Sequence, residues 1–513
     1  MPEDTTSLRA STVDVSARVG WLLLMSRLHH PDPELSRGLR FNTALSEAGL
    51  QADRSAVSRW ESGKVTPRFA VFTAYEQVLG LHRGQLSSVA NELRRAYTDG
   101  HGRVWTPTLD SQSPAFHQRL DELFEMLLAG SATGSHWTEF GHHIAQLDSI
   151  YVPASVWQDL CGRLVDQMAR SVGLAYLQRF EVIRLLLENQ MAQAWVLRAI
   201  GDYLSDPAVQ IVNDPVAVLE ISESPEAADV LLEKFVDSES EQVFAACLAP
   251  VAYKVEMGHF TSAQLDQVEA TLLTAMSERP SALVGLEELL VAMPESARSR
   301  LMAASRGLSG HRQLAMVAAH GEWVRPDAAK RISQRMADAL KQRMPARELY
   351  DDDRLTPRII REALFSARSE HRHHSALALS GSPFREPLAA VLVEEIEQAG
   401  LEDPIAPRAA HLLRYLANPA EEPTLLGWVE TADPPLANDV ALTLGHLPAG
   451  GGSLTVLVDR LAGDQSLLDR ALLYGLGMRR DPALETLAAD AKRPQLTRDA
   501  AGWWLRQGGA VLD

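Results

Sequence analysis

What the chain has little of narrows its possible functions. Among 513 residues there are two cysteines, Cys161 and Cys247, each in an apolar helical context. Two thiols in a chain this long make no disulfide framework, and they read as small buried hydrophobes. No Cys/His spacing matches a zinc site. Aromatic residues make up only 6%, and extended runs of Val, Ile and Thr are missing, which argues against a sheet protein. No apolar stretch approaches the ~18 residues of a membrane span. The first twenty residues are polar with both charge signs and lack the basic-then-apolar order of a secretion signal, so a cytoplasmic protein is expected. Lysine is scarce, 6 against 43 arginines, a bias of the kind GC-rich coding produces.

Enzyme signatures are missing as well. The chain has no G-x-x-x-x-G-K-[ST], no G-x-G-x-x-G after a strand, no H-E-x-x-H and no G-x-S-x-G. A non-enzymatic protein without cofactor, catalytic residues or metal is the expectation. His29–His30, His142–His143 and the cluster His371, His373 and His374 around Arg372 lack a ligand set of the usual spacing, and read as solvated helix faces. Asp351–Asp353, within ARELYDDDRLTPR (346–358), read as a solvated loop or helix cap rather than a metal site.

What is present is 46% hydrophobic and 23% charged residues, with alanine and leucine dominant, enough for a substantial helical core in two to four domains. The net charge of −18 is unevenly spread. Residues 1–105 hold 13 basic and 11 acidic side chains, whereas the remainder holds 36 and 56. Segment 35–103 alone has 10 basic and 6 acidic residues. A mildly basic head therefore sits on a strongly acidic body. Phosphate attraction needs only a local basic face, and an acidic body confines contact with polyanions to the head.

Along the chain, hydrophobic spacing predicts helices over Val15–Leu28, Leu39–Leu50, Ser55–Glu61, Phe69–Leu79 and Gln85–Tyr97. HHPDPE (29–34) breaks the first from the second, and Gly49, Gly63 and Gly80 stop the following ones. The stretch 99–114, rich in Gly, Pro, Ser and Thr, is the best linker. Beyond it, helix follows helix. Four segments align near the C-terminus: 407–418, 437–448, 467–478 and 496–507. Their common alanines, Ala410, Ala441, Ala471 and Ala501, are 31, 30 and 30 residues apart. Each of the first three is followed by a turn and a second apolar helix. This recurrence resembles short bacterial HEAT-like repeats, specifically over about 400–507 and more loosely over 115–400.

The most informative stretch is ALSEAGLQADRSAVSRWESGKVTPRFAVFTAYEQVLGL (44–81). Its core, Ser55–Ala56–Val57–Ser58–Arg59–Trp60–Glu61–Ser62–Gly63 followed by Pro67, resembles the XRE-type, lambda-repressor-like helix-turn-helix family over about residues 15–97. The connection HHPDPELSRG is longer than that family's usual one. Val57 and Trp60, three apart, pack on one helix face against Leu45, Leu50 and Phe72. That leaves Arg54, Ser55, Ser58 and Arg59 on the other. Arginine makes bidentate contacts to guanine, serine is a permissive short hydrogen-bonder, and the N-terminal part of a recognition helix enters the major groove. Arg54 and Ser55 are thus the best candidates for base reading, with Ser58 and Arg59 behind them and Ala56 among the DNA-binding residues; a surface ion pair is the other reading of Arg59. The resemblance implies that Lys64, Thr66 and Arg68 lie along the phosphate backbone. Arg40 and Asn42 open the preceding helix, where polar groups also meet phosphate. Trp60 reads as core and Glu61 as a structural contact.

The expected fold class is all-α: a five-helix helix-turn-helix head over 1–105, a helical-repeat region over 106–350 and a HEAT-like repeat domain over 351–513, the last two forming a long α-solenoid. The expected function is a sequence-specific bacterial transcription regulator, a nucleoid-associated homodimer on double-stranded DNA with a palindromic operator. The solenoid is expected to provide dimerisation, a sensory groove for a peptide, protein or small-molecule effector, or both. The alternatives are a DNA-tethered adaptor in genome defence or plasmid maintenance, and a nucleic-acid enzyme with a HEAT-like body.

Overall fold

The computed structural model describes residues 1–97, 105–238, 240–279, 283, 285–308, 310–345, 352–448, 454–463 and 466–513. It is all-helical. The strand-like features among the described residues are two isolated bridges, Ser171–Val511 and Glu322–Ser366. No helix among the described residues is long and apolar enough to cross a membrane.

The first six helices are α1 (Val15–Leu28), α2 (Pro33–Ser36), α3 (Gly38–Glu47), α4 (Arg54–Glu61), α5 (Phe69–Val78) and α6 (Gln85–Tyr97). Sequence spacing predicts five of these. The sixth, α2, is a single turn inside the proline-containing connection. Asp32 accepts from the Glu34 amide and Pro33 opens the turn, where its missing N–H costs nothing. Asp14 and Asp53 begin α1 and α4 by accepting from the amides of Ala17 and Ala56. Helix α1 is buried on every face, because it packs on α4 and α6 on one side and on a later helix, residues 369–381, on the other.

The rest is a succession of helix pairs. Helices α7 (Pro114–Ala129), α8 (Gly134–Ile144), α9 (Ala154–Ala169), α10 (Gly173–Glu188), α11 (Gln193–Leu204) and α12 (Asn213–Ile221) come first. They are followed by α13 (Pro225–Val236), α14 (Glu241–Glu256), α15 (Ser262–Glu278), α16 (Leu286–Ala292), α17 (Glu295–Ala304), α18 (His311–His320) and α19 (Pro326–Arg343). Next are α20 (Leu355–Phe365), α21 (Ser369–Gly381), α22 (Arg385–Ala399), α23 (Ala406–Leu416) and α24 (Glu422–Thr431). The last five are α25 (Pro434–His446), α26 (Thr455–Asp459), α27 (Leu467–Met478), α28 (Ala483–Ala489) and α29 (Gln495–Gln507).

These helices form two layers. Helices α8, α10, α12, α14 and α16 pack side by side in one, as do α21, α23, α25 and α27, while α7, α9 and α11 pack side by side in the other. The repeat alanines Ala410, Ala441, Ala471 and Ala501 are all buried. Helices α25 and α27 approach closely at Gly475, where an added Cβ would lie 3.0 Å from the Ala441 carbonyl oxygen. The two ends of the succession meet. Val511 N–H donates to the Arg170 carbonyl, Arg170 donates to the Gly509 carbonyl, and Arg470 in α27 donates to Gln242 in α14.

Of the 99–114 stretch, residues 99–104 lie outside the described residues. Trp105 is buried against the first six helices. It edges onto Phe72, donates from Nε1 to the Pro67 carbonyl, and exchanges backbone hydrogen bonds with the Asn91 side chain. Asp351 is also outside the described residues, but Asp353 caps α20, accepting from the amides of Leu355 and Thr356. Cys161 and Cys247 are buried, and burial pushes both thiols up to about 12.

Candidate nucleic-acid interface

Helix α4 is short and amphipathic, and its position is fixed from below. Val57 is buried in the shared core with Leu45 and Phe72, while Trp60 and Leu50 are half-buried against it. Glu61 is buried and accepts two bonds from the Arg27 guanidinium, at 2.5 Å and 2.6 Å, and one from the Tyr75 hydroxyl at 3.1 Å. This pair ties the C-terminus of α4 to α1 and α5. Burial opposes the Arg27 charge, but the Glu61 carboxylate outweighs it and raises its pKa. Burial, with the Glu61 carboxylate second, pushes the Tyr75 hydroxyl well up. Glu61 is therefore a structural contact, as its sequence position predicts.

A backbone-to-backbone crossing completes the anchorage. A Cβ on Gly20 of α1 would lie 2.7 Å from the Gly63 nitrogen and 2.9 Å from the carbonyl oxygens of Glu61 and Trp60. A Cβ on Gly63 would lie 2.7 Å from the Ser16 carbonyl oxygen, and Gly63 has φ of +72°, a left-handed conformation that glycine adopts without strain. Sequence spacing identifies Gly63 as a helix stop and gives Gly20 no role.

The opposite face of α4 carries no such ties. Arg54, Ser55, Ser58 and Arg59 are exposed and Ala56 is half-buried. Asp53 caps the helix and is held below the usual carboxylate range, first by the Ala56 amide and also by the nearby Arg59 charge. Just beyond α4, Lys64, Thr66 and Arg68 are exposed and bracket buried Pro67. Arg40 is exposed on α3 and pairs with Glu47 at 3.4 Å. Asn42 faces inward instead. With its amide turned to satisfy both neighbours, it donates to the Gly38 carbonyl and accepts from the Arg54 amide at 2.7 Å, so it joins α3 to the start of α4. Eight of the ten predicted residues are thus exposed, while Ala56 and Asn42 are half-buried.

No family model matches this chain, and no curated protein matches it.

A concave feature lies elsewhere, between the helix layers. A cavity of about 980 Å³ is lined by α10, α12, α14, α16, α21, α23, α25 and α27, and α6 forms part of its wall through Gln85, Val89 and Glu92. Its wall corrects the expectation of solvated histidines. His371 and His374 are buried rather than solvated, and His373 and His374 border the cavity. Both edge-on contacts of Tyr97 are to His371 and His374. Burial holds His371 and His373 down at about 4 and holds His374 well below the usual imidazole range. His29, His142 and His143 are buried as well. An isolated histidine cluster on a helix does not reveal that a second layer of helices curls back over it.

Proposed function

We propose that the chain is a sequence-selective, DNA-binding transcription regulator. In this reading α3 and α4 form an XRE-type helix-turn-helix, and the helices from α7 onward form an α-solenoid of HEAT-like repeats. The observation that carries it is the two-sidedness of α4. Its underside is immobilised by Val57, the Arg27–Glu61 pair and the Gly20–Gly63 crossing, while Arg54, Ser55, Ser58 and Arg59 stand exposed. A rigid short helix with a free polar face and flanking cations suits insertion in a major groove, with Lys64, Thr66 and Arg68 on phosphate. The acidic remainder of the chain would repel the duplex everywhere else.

A single head buries little surface, and two-fold pairing of heads on a palindromic operator doubles it. The chain therefore acts as a homodimer in this proposal. The helical body serves as the sensory part, since its cavity touches α6, and α6 packs on α1 and α5 of the head.

The test is selection of sites from a randomised duplex pool by the full chain, followed by fluorescence anisotropy on the selected and scrambled duplexes. A defined two-fold motif bound at least 100-fold more tightly than scrambled DNA supports the proposal. Equal affinity for both, or no binding at low salt, overturns it.

A further inference from the structure

Several acidic groups on the cavity wall have a cation or a hydroxyl beside them. Glu92 accepts from Arg184 at 2.8 Å. Glu288 lies 3.8 Å from Arg372, which also donates to the carbonyls of Ser366 and Ala367. Burial pushes Asp214 up to about 6, against the opposing charge of Arg414 and the Tyr176 hydroxyl. Glu220 and Glu370 are left facing each other, one from α12 and one from α21.

Glu220 is 6% exposed and borders the cavity. Its nearest charged neighbour is the Glu370 carboxyl, and among the described residues no Lys or Arg forms an ion pair with either. Arg184 and Lys254 act on the pair only from a distance: Arg184 is committed to Glu92, and Lys254 donates to the Ser222 carbonyl. The closest nitrogen is His374 Nδ1, 3.2 Å from Glu370, and that ring is kept neutral by burial and by His373. Glu220 is buried and the Glu370 side chain is 23% exposed; two such carboxyls facing each other without a cation share a proton, and burial followed by mutual repulsion pushes Glu220 well up.

Aromatic faces stand beside this uncompensated pair. Tyr253 of α14 lies in electrostatic reach of both carboxyls. Tyr176 stacks on Phe180 with ring centroids 5.3 Å apart. Carboxylates that lack a counter-charge, next to tyrosine rings and in a cavity at the upper end of the ~300–1,000 Å³ of small-molecule sites, are complementary to an organic cation. We propose that this cavity binds a small amine, whose ammonium group sits between Glu220 and Glu370 and whose apolar part lies against Tyr253 and Tyr176. Binding exchanges the shared proton for the ligand's charge, so about one proton is released to solvent and the protein's two carboxylates become ionised.

The test is calorimetric titration of the full chain with benzylamine, phenethylamine, putrescine and spermidine, with phenylacetate as the anionic comparator. One amine or more should saturate a single site, and proton release should show as a dependence of the heat on buffer. Glu220→Gln and Glu370→Gln preserve shape and should each weaken that amine at least tenfold. Glu386→Gln, at the exposed rim, should change it less than twofold. Arg54→Ala, on the outer face of α4, should leave amine affinity intact, so the site is judged independently of the DNA reading. Absence of saturable binding by every amine overturns the proposal. So does equal binding to the Glu220→Gln and Glu370→Gln variants, or phenylacetate binding as tightly as phenethylamine.

Discussion

Replacing Gly20 by alanine tests the contact that holds α4 in place. In an ordinary helix interior this change stabilises by about 1 kcal/mol, because glycine gives up more backbone freedom on folding. At Gly20 the sign should reverse. The new Cβ would meet Gly63 N at 2.7 Å and two carbonyl oxygens at 2.9 Å. All three are backbone atoms, so no rotamer change relieves the clash, and the helices must part by roughly 0.5 Å or more to restore ordinary contact. Helix α1 has little room to retreat. On its far side Trp21 donates to Thr356 at 3.0 Å, and buried Arg18 bonds to Glu362, Asp4 and Ser375. Overpacking of this type costs ~1–3 kcal/mol. Gly201→Ala is the comparator, since a Cβ there meets nothing within 4 Å. Urea denaturation, with hydrogen-exchange protection followed in α1 and α4, should show Gly20→Ala destabilised by ~1–3 kcal/mol and Gly201→Ala unchanged or up to ~1 kcal/mol more stable. Specific DNA affinity should fall with Gly20→Ala as α4 shifts. If both variants gain stability alike, α1 and α4 do not cross in direct contact and the anchorage described for α4 is wrong.

Arg54→Ala should weaken selected DNA by ~1–3 kcal/mol and relax one base preference, whereas Lys64→Ala should weaken all duplexes about equally and reduce the salt slope by about 1, both read by anisotropy against salt. The His371 ring has pKa about 4 in the fold against 6.5 unfolded, so the unfolded chain binds more protons between those values, and stability falls as pH drops from 6.5 toward about 4. Asp214 acts in the opposite sense, losing stability as pH rises from 3.8 to about 6, so the informative comparison is with His371→Leu. That variant should flatten the stability profile below pH 6.5 by up to ~1.4 kcal/mol per pH unit in denaturation titrations. Gly477→Ala would place a Cβ 1.9 Å from the Trp504 ring and should displace that indole, costing at least ~1–3 kcal/mol and changing tryptophan fluorescence. A saturating amine should alter DNA affinity in anisotropy, since α6 borders both the cavity and the head.

Much of the helical order is legible in the sequence because it is local. The limits of α1 and α6 follow from apolar spacing, and the repeat alanines at 410, 441, 471 and 501 mark the helices α23, α25, α27 and α29 by their spacing alone. The exposed face of α4 is equally legible, since alternating Val57 and Trp60 with Ser58 and Arg59 assigns the two sides. What is not legible depends on long-range closure. Gly20 looks like a helix blemish until Gly63 is brought against it. Asn42 looks like a phosphate contact until the α3–α4 turn places the Arg54 amide beside it. The histidines of α21 look solvated until Tyr97 of α6 and Tyr415 of α23 are packed onto them. One partial signal is present: Tyr415 and His446 each fall five residues after a repeat alanine, so polar groups recur on the face that borders the cavity. Glu220 and Glu370, 150 residues apart in the sequence, have none.

The most direct measurement is genome-wide occupancy of the tagged protein in its own host, beside a strain carrying Arg54→Ala and Arg59→Ala. Sharp promoter peaks sharing a two-fold motif, and lost in the variant strain, are the predicted result. Peaks that are absent, or that persist unchanged when both arginines are removed, would contradict the assignment of α4 as the element that reads DNA.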